Sequence, residues 1–208
     1  MPLPQIFAKI TKNDCEVVTM NLFWLIELCS SAIILLFLIY KLQTSKSFRH
    51  LDGILKKRLT RPINGTFWSI IEFLNAPKLI AFWDTLLAIF LFFNGSIKKG
   101  IWVLCTLAFT DLVGIFLKHT VKRKRPSENK RPSYSFPSGH VLSITSLSLI
   151  IWQIYGGMIG ISLFFILFTL WCLVVFSRIM LKAHYPSDIV GATILSIFCF
   201  LLAQPFFS

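Results

Sequence analysis

The sequence predicts an all-α polytopic membrane protein: a bundle of six transmembrane helices, with an amphipathic helix on the membrane surface between spans one and two. Three observations predict it. Apolar residues make up 55% of the 208-residue chain and charged residues only 14%, against about 45–50% and about 25% in soluble domains. The mean hydropathy is +0.72. The apolar residues also gather in six runs close to the ~20 residues needed to cross a hydrocarbon core. The length allows one domain, 1–208.

The first run, 20–42, is longer than the ~7–15 apolar residues of a signal peptide. It ends in Lys41-Leu42-Gln43 rather than small residues, so it reads as an uncleaved span. Between 45 and 77, Phe48, Leu51, Leu55 and Leu59 recur at helical spacing. Arg49, Asp52, Lys56, Lys57 and Arg58 occupy the other positions. That pattern is a basic amphipathic helix lying on the bilayer. Spans two and three follow at 78–95 and 101–118. The connection 120–136 carries Lys122, Arg123, Lys124, Arg125, Lys130 and Arg131 against Glu128 alone. Spans four, five and six are expected at 139–155, 158–177 and 186–204, the last opening on Pro186, a residue suited to the first helical position.

The net charge of +12 is concentrated in the two basic connections. In a chain of this hydropathy it suits anionic headgroups or a phosphate substrate, not nucleic acid. Four of the five cysteines fall inside apolar runs and no CxxC occurs. They read as small apolar residues, with no support for zinc or a redox pair.

Chemistry-bearing residues cluster in three segments: Lys118 to Arg125-Pro126, Pro137-Ser138-Gly139-His140, and Ser177-Arg178 to His184 and Asp188. Helix parity puts them together. Lys118 and Arg125 follow span three, Ser138 and His140 open span four, Arg178 follows span five, and His184 and Asp188 open span six. All seven groups therefore lie on one face of the membrane.

Phosphoryl transfer is mainly positioning and stabilisation of charge spread over three oxygens. Lys118, Arg125 and Arg178 supply cations, the two guanidiniums with bidentate geometry. Ser138 and Gly139 open a helix whose free N–H groups favour an anion. Gly139 lets the phosphate approach closely. A nucleophilic imidazole needs its second nitrogen held by an acceptor. Asp188, in the first turn of span six, can reach back to His184. His184 is thus the expected nucleophile and Asp188 its orienter, which leaves His140 as general acid and then base. Glu27, Glu72, Asp84 and Asp111 lie in or beside apolar stretches, where carboxylates are costly. They would pair with basic residues or face the substrate path.

These three segments resemble the signature motifs of the type 2 phosphatidic acid phosphatase superfamily, over a core of 118–188. The resemblance implies that Lys118, Arg125, Ser138, Gly139 and Arg178 hold phosphate, that His184 is the nucleophile and His140 the acid, and that Asp188 supports His184. It implies lipid substrates: undecaprenyl diphosphate first, given the compact chain, or phosphatidylglycerophosphate, phosphatidic acid or lipid A phosphate. Lys122, Arg123 and Lys124 would suit a diphosphate. It also implies a bacterial inner membrane with the site on the outer, periplasmic face.

Few carboxylates surround the motifs, so neither metal nor cofactor is expected. The competing readings are a lipid-binding or phosphotransfer membrane protein and a vanadate haloperoxidase. Binding needs only the cations, whereas turnover needs both histidines. The charge distribution opposes the expected orientation. Of 21 Lys and Arg, all but Lys9, Lys12, Lys98 and Lys99 fall on the motif side, which the positive-inside rule would place in the cytoplasm. Oligomeric state has no signature in the sequence.

Overall fold

The computed structural model describes residues 3–60, 65–126 and 134–207, with side chains from residue 22 onward. These residues form helices α1 (Leu3–Thr44), α2 (Lys46–Leu59), α3 (Gly65–Leu74), α4 (Pro77–Phe93), α5 (Ile97–Val121), α6 (Gly139–Ile159), α7 (Ile161–Met180) and α8 (Pro186–Ala203). A 3-10 turn, Gln204–Phe206, follows. Among the described residues six segments are long and apolar enough to cross a membrane, and the protein is an integral membrane protein. Lys130, Arg131 and Glu128 lie outside the described residues.

Two elements differ from expectation. α1 begins at Leu3, although its apolar span is 22–44. Span two runs over 65–93 because the apolar stretch takes in α3 as well as α4. Pro77 has no N–H and disfavours helix at Ala76, which is extended (φ −60°, ψ 137°). The side chain of Asn75 donates back to the Ile71 carbonyl at 2.9 Å and covers the end of α3. The result is a broken span whose first half bends over the motif end of the bundle.

α8 lies at the centre, against α1, α5 and α6. The larger core joins Leu38 and Leu42 of α1, Phe136, Val141 and Ile144, Val174 of α7, and Ile189, Ala192 and Leu195 of α8. Lipid supplies little hydrophobic drive between helices, so close backbone approach matters. Gly191 is where α8 receives the Phe136 ring, and a Cβ there would collide with it. Gly114 likewise receives Leu142 on α6. Outward residues such as Ile33, Phe93, Phe116 and Phe165 are exposed and apolar, as a lipid-facing surface must be. At the far end, the indole N–H groups of Trp24 and Trp102 donate to the Leu201 and Ala203 carbonyls. These are among the last carbonyls of α8, which lack helical partners.

Candidate active site

α5 brings Lys118 to the motif end and stops where Lys122 enters the left-handed region (φ 49°). The chain returns with Ser135 N–H donating to the Arg123 carbonyl at 2.8 Å. It then passes a cis Phe136–Pro137 bond into Ser138, the N-cap of α6. Ser138 is buried, and its hydroxyl has no partner among the described residues. The Lys118 amine stands over Gly139, 3.4 Å from where a Cβ would lie. Positive charge and the free N–H groups of a helix start thus converge on one point.

Lys118, Arg125, Gly139, His140 and His184 line a single cavity of about 540 Å³. α3 and α4 form its rim with Glu72, Phe73 and Lys78. Arg178 is buried beside it. Its Nε donates to Ser177 Oγ at 3.2 Å and its Nη1 to Glu72 Oε1 at 3.0 Å. Its Nη2 is buried without a partner among the described residues. A larger, apolar cavity of about 830 Å³ lies at the opposite end of the bundle, among Trp102, Phe109 and Leu202, and holds none of the motif residues.

His184 sits in the turn between α7 and α8 and is 1% exposed. Its Nδ1 lies 2.9 Å from the Ser135 carbonyl oxygen. A carbonyl can only accept, so Nδ1 carries the proton and Nε2 keeps the lone pair. Asp188 does reach back to His184, but its Oδ2 stands 3.6 Å from Nδ1, beyond hydrogen-bond range. That oxygen instead accepts the Tyr185 N–H at 2.9 Å, and Pro186 opens α8 between them. The nearest orienter of His184 is therefore a backbone carbonyl, with Asp188 as a second, electrostatic neighbour. Burial pushes the His184 imidazole below its ordinary value of 6.5; Asp188 opposes this, and Arg125 and Arg178 add to it. The ring is neutral at pH 7.

Sequence reasoning missed Ser135, whose backbone serves, and left Glu72 with two open roles. Glu72 fills both, pairing with Arg178 and lining the cavity. Arg123 does not extend the cavity. Its guanidinium is held by Asp52 at 2.6 Å and Asp188 at 2.7 Å. Lys122 and Lys124 are exposed and do not line the cavity either. Asp84 is buried elsewhere, with no hydrogen-bond partner among the described residues. Among those residues no group of three or more His, Cys, Asp or Glu could hold a metal ion.

Solved structures share this architecture. A transmembrane PAP2-type phosphatidylglycerolphosphate phosphatase from Bacillus subtilis superposes with TM-score 0.76 at 21% identity, over 86% of this chain and 95% of that one. LpxE from Aquifex aeolicus gives TM-score 0.57 at 21% identity, over 74% and 95%. At such identity the likeness is one of fold. No curated protein sequence matches. The family model of the PAP2 superfamily matches residues 99–208, a stretch that holds every group lining the floor of the cavity. By that match over more than half its length, the chain belongs to the PAP2 superfamily, which includes membrane lipid phosphatases.

Proposed function

We propose that the protein hydrolyses a lipid phosphate in two steps through a phosphohistidine, without a metal ion. The carrying observation is the bond from His184 Nδ1–H to the Ser135 carbonyl, which leaves Nε2 as the nucleophilic edge of a ring that lines the cavity. Nε2 attacks phosphorus, and the bond from phosphorus to the leaving oxygen breaks. His140 gives that oxygen a proton. His140 then takes a proton from water, whose oxygen attacks phosphorus and breaks the P–N bond, releasing phosphate and restoring His184. Lys118, Arg125, Arg178, Ser138 and the start of α6 hold the charge on the phosphoryl oxygens.

Among substrates, undecaprenyl diphosphate is the first reading, supported now by Lys78, which places a cation on the rim where a second phosphate would lie. A phosphomonoester such as phosphatidylglycerophosphate is the second, favoured by Glu72, whose carboxylate on the same rim would repel that second phosphate. In the proposed setting the site faces the outside of a bacterial inner membrane. Three of the basic residues on that side have internal work. Arg49 donates to the Leu42 and Gln43 carbonyls, and Arg123 and Arg178 are held by carboxylates.

The test is phosphate release by detergent-solubilised protein in EDTA, over a panel of lipid mono- and diphosphates, with His184→Ala beside it. Release that vanishes in the variant supports the reading. Release that persists in His184→Ala, or that is lost in EDTA, overturns it.

A further inference from the structure

Arg123 stands at the junction of three elements. Its Nη1 donates to Asp188 Oδ1 at 2.7 Å and to Ser187 Oγ at 2.6 Å, both on α8. Its Nη2 donates to Asp52 Oδ2 at 2.6 Å, on α2. The guanidinium stands over the Tyr185 ring, its Cζ 3.9 Å from the ring centre. Asp52 closes the loop by accepting from the Ser187 N–H at 3.2 Å and from the Ser187 hydroxyl. The side chains of Arg123, Asp52 and Asp188 are 10%, 5% and 0% exposed. This is a buried and nearly saturated network, in which charge-assisted bonds are strong and directional.

The network bears on both groups that face His184 Nδ1, the Ser135 carbonyl and the Asp188 carboxylate. The Arg123 side chain holds Asp188. The Arg123 carbonyl takes the N–H of Ser135, whose own carbonyl takes Nδ1–H of His184. One residue therefore positions both groups behind the nucleophile, and Asp52 fixes that residue from the surface helix. On its outer side α2 exposes Leu51 and Leu55. Its buried acid is what faces the protein.

We propose that Asp52 and Arg123 are positioning residues for phosphoryl transfer, which makes the amphipathic helix α2 part of the apparatus that orients His184. This rests on the reading of His184 as nucleophile. Arg123 is shared between two carboxylates. Removing the Asp52 charge throws the whole cation onto Asp188 and weakens its pull on His184. Removing the Arg123 charge leaves two facing carboxylates uncompensated and strengthens that pull. The other charged or titratable groups facing His184 are Arg125 in the connection, His140 on α6 and Arg178 on α7. They are the same in both variants.

The test compares wild type with Asp52→Asn and Arg123→Gln in detergent micelles. The outer partners of metal-bound histidines typically matter by about 10- to 100-fold, and kcat is expected to fall by about as much in both variants. KM should stay within about twofold, because the cations that line the cavity are untouched. The acid limb of kcat/KM moves down in Asp52→Asn and up in Arg123→Gln. A merely structural role would lower the active fraction of both without moving either limb. If Arg123→Gln does not fold, Arg123→Lys keeps the cation and loses the fork, and is expected to lower kcat with the limb in place. Titration of the His184 imidazole by NMR in ¹⁵N-histidine-labelled protein, assigned by its loss in His184→Ala, reports the same shifts without turnover. Opposite shifts in a protein that releases no phosphate would keep the coupling of the network to His184 but overturn its role in phosphoryl transfer together with the phosphatase reading. Unchanged kcat and unmoved His184 in an active enzyme overturn the network and leave that reading intact.

Discussion

Arg178 and Glu72 meet at 3.0 Å across two helices far apart in the chain, one partner 1% exposed and the other 42%. The buried guanidinium thus has a half-exposed carboxylate as its counter-ion, at the rim of the cavity where phosphate is expected.

An incoming phosphate competes with that carboxylate for Arg178. Glu72→Gln keeps the shape and removes the charge. Half-exposed ion pairs are worth about 0.2–1 kcal/mol, so inhibition by phosphate and vanadate should tighten by about 1.4- to fivefold. Unchanged or weaker inhibition would mean that Glu72 only holds Arg178 in place.

The two histidines should separate by leaving group. His184→Ala is expected to lower kcat by at least about a thousandfold for every substrate. His140→Ala should lose about 10²–10⁴-fold with a lipid alkoxide leaving group. In kcat/KM, which reports only the first step, it should lose far less with an aryl phosphate, whose leaving oxygen needs no proton; kcat still falls, because the water step keeps its need for a base. Equal losses of kcat/KM with both substrates would deny His140 the acid role.

The pH dependence follows from burial of His184. Its folded value lies below the ordinary 6.5, and the nucleophile must be neutral. The acid limb of kcat/KM should therefore fall below pH 6.5. The same sign governs stability. This residue's contribution is fully present above its unfolded value and is lost as pH falls from there toward the lower folded value. An acid limb at or above 6.5 would contradict the burial of the ring.

Gly191 should tolerate no larger residue. Gly191→Val drives a branched side chain into Phe136, which precedes Pro137 and Ser138. Overpacking of this kind costs about 1–3 kcal/mol. The expected result is a lower Tm in detergent together with weaker phosphate binding. A lower Tm with unchanged binding would show that Phe136 does not transmit the strain to Ser138.

Single cysteines at Lys124 and Lys98 report orientation when the native cysteines are replaced. An impermeant maleimide added to intact cells should label the first and spare the second. The reverse pattern would put the site in the cytoplasm, as the positive-inside rule alone suggests.

The sequence by itself determined the helical class, the six spans and the common face of the motif residues. Those depend on hydropathy and parity, which are local properties read in order. It also suggested the reach of Asp188 toward His184, because four residues around a Pro-led helix start bring them close. Tertiary structure alone decided what each neighbour does. α3 is too short, and interrupted by Glu72, to declare itself as half of a span, and it becomes one only where the chain runs on into α4. A backbone carbonyl such as that of Ser135 leaves no trace in residue identity, so the closest partner of His184 was not legible. Arg123 and Arg125 sit two apart in one basic run, yet one lines the cavity and the other does not. Their fates diverge because the left-handed turn at Lys122 directs Arg123 toward a carboxylate 71 positions earlier, on α2. A buried charge takes whatever partner the fold brings within reach, and only the packed helices specify which one that is.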